Sequence, residues 1–292
     1  MPRRPAALRT LVTALTTVLA LTTPTAATAR TSPTPAPTAT STSAPAGTPT
    51  PKAPADFVAL SAVDPTVRQE IRYATPHTFL GTRVDGYLRP VCLLTRPAAK
   101  ALRTAQRRLL RHGYTLKVYD CYRPQRAVDQ FVRWAEDPDD QTMKGEFYPW
   151  GDKSRLFADG YIARRSGHSR GSTLDVTLVR LPARPTRPYV PGEPLTPCTA
   201  PRAERFPDNS VDMGTGYDCF DLLSHTLDPR VQGAARAHRL LLKRTLEHVG
   251  FVNLAQEWWH YTLADEPHPD TYFDFPVTPT SLTSAFRRTR TR

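Results

Sequence analysis

SGHSRGSTLDVTLV, residues 166–179, contains the two local structures on which the fold reading turns. Gly167 and Gly171 loosen a turn that can present the His168 imidazole. LDVTLV (174–179) then alternates as a strand, with Asp175, Thr177 and Val179 on one face. Downstream, Glu257-Trp258-Trp259-His260 joins two short extended stretches, 251–255 and 258–263, which read as a hairpin or a pair of strands. Upstream, TLKVY (115–119) alternates too and delivers Asp120 and Arg123 to a strand-to-helix junction.

The helices follow from 3.6-residue periodicity. Residues 97–111 start on proline, carry Ala98, Leu102, Ala105 and Leu109 as one stripe, and stop at Gly113. A second helix opens at Pro124 and runs to Ala135, and the longest covers 231–249, capped by Gly250. Asp64-Pro65 and Asp85-Gly86 mark turns, 137–160 is polar and irregular, and the proline-rich stretch 182–201 reads as a surface excursion. This order predicts an α+β fold: an antiparallel or mixed central sheet flanked by helices, in one domain spanning 55–280.

The two ends differ from that domain. Residues 1–29 read as a secretory signal: Arg3, Arg4 and Arg9 precede the apolar stretch Leu11–Thr22, and Ala27-Thr28-Ala29 offers a cleavage site. The apolar stretch is too short for a stable membrane span. Residues 30–54 form a Pro/Thr/Ser/Ala linker with nothing large to bury, so it reads as a disordered tether. Residues 281–292 are a basic tail with four arginines, suited at most to weak attraction to anionic wall polymers. These ends carry nine of the formal +12 charges, leaving about +3 on residues 55–280, which excludes a nucleic-acid binder marked by bulk charge. Composition also excludes fibrous, coiled-coil and polytopic membrane proteins. In an exported chain the four cysteines are expected to pair as Cys92–Cys121 and Cys198–Cys219, the second closing the proline-rich excursion.

His168, Asp175 and His260 offer two imidazoles and a carboxylate, a donor set suited to one catalytic zinc ion with a position left for water. Glu257, three residues before His260, would then take the water's proton, and Arg123 would stabilise the oxyanion formed by attack on a carbonyl. Plainer roles exist for each: Asp175 as a loop cap, Trp258 and Trp259 as core, Arg123 in a salt bridge to Asp120, Tyr122 as pocket wall or as core. The other histidines, His77, His112, His225, His238, His248 and His268, read as packing or surface. No G-x-S-x-G elbow and no glycine-rich phosphate loop is present. Paired-carboxylate sugar chemistry from Glu146, Asp212, Asp218 or Asp221 has nothing in the sequence to fix its spacing.

Seven stretches in order carry a family resemblance: IRYATPHTFLG (71–81), VDGY (84–87), VYDCYRPQRAVDQF (118–131), SGHSRGSTLDVTLV (166–179), VDMGTGYDCF (211–220), GFVNLAQEWWHY (250–261) and YFDFPV (272–277). Over roughly 57–278 the chain resembles the D-alanyl-D-alanine dipeptidases of the vancomycin-resistance type. These zinc peptidases share a fold with the zinc D-Ala-D-Ala carboxypeptidases and the hedgehog amino-terminal signalling domain. The resemblance implies zinc on His168, Asp175 and His260, Glu257 as general base and Arg123 as transition-state stabiliser. It also implies a small pocket lined by Tyr73 and the 212–218 loop, with Asp212 or Asp218 meeting the substrate ammonium. Two positions depart from the family's pattern: Cys219, where Glu is usual after Asp218, and Cys121, where Gly is common. The expected function is zinc-dependent hydrolysis of D-Ala-D-Ala outside the cytoplasm, in cell-wall peptide metabolism or recycling rather than resistance, which needs a cytoplasmic enzyme. The alternatives are a zinc D,D-carboxypeptidase on muropeptides and a non-catalytic wall-binding module.

Overall fold

The computed structural model describes residues 51–283, and these all fall within one compact unit. The stretch expected to be a signal, 1–29, most of the expected linker and most of the basic tail lie outside the described residues. Seven strands are present among them: β1 Phe57–Ala59, β2 Arg68–Gln69, β3 Leu93–Thr95, β4 Tyr114–Asp120, β5 Thr173–Arg180, β6 Phe251–Asn253 and β7 His260–Leu263. The helices are α1 Leu60–Val63, α2 Arg96–Leu110, α3 Gln125–Glu136, α4 Lys144–Phe147 and α5 Gly233–Glu247. The five-stranded sheet has the order β2-β4-β5-β7-β6, with β2 parallel to β4 and the other pairs antiparallel. β1 and β3 make a separate antiparallel ribbon. The fold is thus α+β with a mixed sheet.

Three sequence expectations shift. β5 does not present one buried face, since Val176, Thr177 and Leu178 are all fully buried. It is the central strand. α2 and α5 pack against each other and against the sheet, while Lys117 and Tyr119 of β4 reach Asp208, past the end of the 182–201 excursion, at 2.7 Å each. The hairpin strands are shorter than 251–255 and 258–263, because Leu254, Ala255, Trp258 and Trp259 belong to the connection between them. The packed unit also reaches past 55–280: Ala53 is buried and donates its N–H to Ser281 O at 2.9 Å, and Leu282 is buried.

Both disulfides form, Cys92–Cys121 and Cys198–Cys219. Gly171 closes the 3₁₀ turn Gly167–Arg170 in the left-handed region at φ 86°. A Cβ there would stand 2.2 Å from Phe57 Cζ. Gly171→Ala is therefore expected to cost about 2–4 kcal/mol of stability through backbone strain and overpacking, read as a fall in the urea midpoint.

Candidate active site

Strand register builds the site. Asp120 of β4 is paired with Asp175 of β5, and Asp175 with His260 of β7, so three adjacent strands place their functional side chains at one end of the sheet. His168 arrives from the turn just before β5. Its Nδ1–H donates to Cys121 O at 2.7 Å, which fixes the tautomer and leaves Nε2 as a lone pair facing the site.

Three donor atoms then converge. His168 Nε2, His260 Nδ1 and Asp175 Oδ1 lie 3.3 Å from one another along every edge. Tetrahedral ligands about 2.0–2.1 Å from a zinc ion stand roughly 3.3–3.4 Å apart. Asp175 Oδ1 is buried without a hydrogen-bond partner, while Oδ2 accepts from Tyr217 O–H at 2.9 Å. An orphaned buried oxygen facing two imidazole nitrogens at these distances fits a zinc ion. Burial acts to raise the Asp175 carboxyl, but His168 and His260 outweigh it and hold the group below the ordinary carboxylate range.

Beside the triangle opens a cavity of about 190 Å³. Pockets for drug-sized ligands run about 300–1,000 Å³, so this one suits a smaller substrate. Its polar wall holds Arg123, Asp175, Asp218, Glu257 and His260, and its apolar wall includes Tyr73, Phe79, Phe131 and Trp259. Glu257 Oε2 lies 3.5 Å from His260 Nδ1. Burial, then the charges of Asp175 and Asp218, raise the Glu257 carboxyl well above its usual range. Arg123 makes the salt bridge foreseen for it, Nε donating to Asp120 Oδ2 at 2.9 Å, and its guanidinium lines the cavity over the Tyr73 and Phe131 rings at 4.9 and 5.0 Å. Asp218 is buried, and its Oδ2 accepts from Tyr73 O–H at 2.9 Å. Burial first, then the Asp175 charge, push its carboxyl up to about 8.

Two residues expected at the pocket are elsewhere. Tyr122 is core: its ring stacks on Phe275 at 4.0 Å, and its hydroxyl donates to Phe275 O and accepts from Phe275 N–H. Asp212 lies outside the cavity, where it accepts from Arg205 Nη2 at 2.6 Å and from Gly214 N–H. The carboxylates considered for sugar chemistry are dispersed as well. Glu146 pairs with His77, Asp221 caps a turn, and of the four only Asp218 reaches the cavity. Sequence reasoning missed Tyr217 as the residue orienting Asp175, and gave Asp120 only a salt-bridge role. Asp120 also lies 3.4 Å from His168 Nδ1 and accepts from Tyr87 O–H at 2.6 Å. The signal for Tyr217 was its place next to Asp218 in the quoted loop.

A three-donor metal triangle with a free buried carboxylate and an arginine across a small pocket is peptidase chemistry, and the class is a metallopeptidase. The family profile described as D-Ala-D-Ala dipeptidase matches residues 53–183 and 206–278, and the chain belongs to that family. A Streptomyces coelicolor protein named D-alanyl-D-alanine dipeptidase is 40% identical over 222 residues, covering 76% of this chain and 98% of its own. An Enterococcus faecalis protein of the same name is 39% identical over 211 residues, covering 72% and 93%. One from Escherichia coli is 30% identical over 208 residues, covering 71% and 84%.

Proposed function

We propose that the protein hydrolyses the free dipeptide D-Ala-D-Ala, with zinc on His168, Asp175 and His260, outside the cytoplasm. The carrying observation is Asp218. A carboxylate buried in a small cavity beside the metal triangle suits a free ammonium, whereas an acylated amine brings no charge to offset its burial. The names of the relatives support the same substrate.

When bound, zinc supplies Lewis acidity to the scissile carbonyl and to water, and positive charge that favours the ionised form of Glu257. Glu257 accepts a proton from the attacking water and returns it to the departing amine. Arg123, fixed by Asp120, stabilises the oxyanion. Asp218, with Tyr73, holds the ammonium. The apolar wall excludes bulk water from the reacting carbonyl.

Export rests on the leader at 1–29 and on all four cysteines being bonded, which suits an oxidising compartment. There the enzyme would recycle wall-derived dipeptide, and the four arginines of the tail would add weak attraction to anionic wall polymers. The test is D-alanine release by the exported chain from residue 30. Release is expected from D-Ala-D-Ala, abolished by EDTA and restored by zinc, with little from a pentapeptide ending in D-Ala-D-Ala. Atomic absorption should find one zinc per chain, and none after dialysis of His168→Ala. Preference for the pentapeptide would make the enzyme a carboxypeptidase, and zinc-loaded protein without turnover on either would leave a binding module.

A further inference from the structure

Residues 184–205 fall between the two stretches that match the family profile, and none of them lines the active-site cavity. They are nevertheless fastened to the loop that carries Asp218. Cys198 is bonded to Cys219, the residue directly after Asp218. Two residues before Asp218, Gly216 N–H donates to Cys198 O at 2.8 Å, and a Cβ on Gly216 would stand 3.3 Å from Cys198 Cβ. The Asp218 backbone is thus tied to one residue of this segment from both sides. That residue is itself anchored: Cys198 N–H donates to Glu146 O at 2.8 Å, and the neighbouring Phe147 O accepts from Phe220 N–H at 2.8 Å.

Asp218 needs such anchoring. Its φ of 55° makes it the one non-glycine residue in the left-handed region among the described residues. A residue with a Cβ stays there when its surroundings over-determine it. The strain coincides with the carboxylate that is buried against Tyr73 and faces the cavity.

We propose that residues 184–205, acting through Cys198 and its bridge to Cys219, are a positioning clamp for Asp218 that sets how well the enzyme captures the ammonium end of its substrate. The inference rests on the reading of Asp218 as the ammonium's partner. The clamp acts on capture and not on the metal. Tyr217, which orients Asp175, is held separately by stacking on Tyr119 at 4.3 Å and by an edge contact with Trp259. Cys198 and Cys219 touch neither Glu257 nor Arg123 in any bond of the structure.

The test is the double variant Cys198→Ser/Cys219→Ser, with kcat, KM and zinc content measured on D-Ala-D-Ala and amide hydrogen exchange followed over 212–220. KM should rise about tenfold or more with kcat within about twofold, the pattern of lost binding rather than lost chemistry. Zinc content should hold, and exchange over 212–220 should quicken. Gly216→Ala keeps the bridge but crowds Cys198, so it should give a smaller KM rise of the same kind, and it decides the question if the double variant does not fold. Unchanged KM and exchange would overturn the clamp, as would a fall in kcat or zinc content at unchanged KM. Should the wild type fail to cleave D-Ala-D-Ala, the proposed function falls while hydrogen exchange still decides the clamp.

Discussion

Glu257→Gln is expected to lower kcat by roughly 10²–10⁴-fold, the range that positioned acid–base catalysis contributes, with zinc still bound. The substitution keeps the shape of the side chain and removes only its capacity to carry a proton. Its main chain is held independently: the N–H donates to Leu254 O at 3.1 Å, and the carbonyl accepts from Asn253 Nδ2 at 2.9 Å. The three converging donor atoms belong to other residues, so metal content should match the wild type. KM should change little, because the amide replaces the carboxylate in the same volume. Zinc-replete Glu257→Gln working within tenfold of the wild type would sink this assignment. Asp218, the other buried carboxylate in the cavity apart from Asp175, would then be the next candidate for the base.

Asp218→Asn separates recognition from chemistry. Removing one partner of a buried charge pair in a complex costs on the order of 2–5 kcal/mol, so KM for D-Ala-D-Ala should rise by about 30-fold or more. The free protein should not be destabilised. Asp218 is buried with no cation bonded to it among the described residues, and burial with the Asp175 charge already pushes its carboxyl up to about 8. An asparagine oxygen can still accept from Tyr73 O–H. The thermal midpoint of the variant should therefore equal or exceed that of the wild type. Burying this carboxyl costs the empty enzyme, and its charge is stabilised by the ammonium in the complex, the pattern of binding energy held for substrate. An unchanged KM would remove Asp218 from the ammonium's path and leave the preference for a free dipeptide without a physical basis.

Several features could be read from the sequence because they lie within one element. The turn and strand of 166–179 set His168 and Asp175 seven residues apart, and 257–260 set Glu257 beside His260. Apolar periodicity located α2, α3 and α5, and alternation located β4 and β5, each within a few residues. The cysteine pairing followed from the segments each bridge would close. Such signals are local. They depend on backbone period and on residues adjacent along the chain.

Tertiary structure decided what depends on distant partners. That Asp212 turns to Arg205 while Asp218 faces the cavity is settled by an irregular loop, whose conformation is fixed by Cys198, Tyr73 and the 146–147 carbonyls. Tyr122 became core because Phe275, 153 residues away, stacks on it. Asp120 joined the site through its register with Asp175, and a one-residue slip would have turned it to the other face. The donor types and their local spacing were written in the sequence. The equal 3.3 Å edges of the metal triangle required a turn and two neighbouring strands to be packed together, because only long-range pairing converts residue spacing into distance.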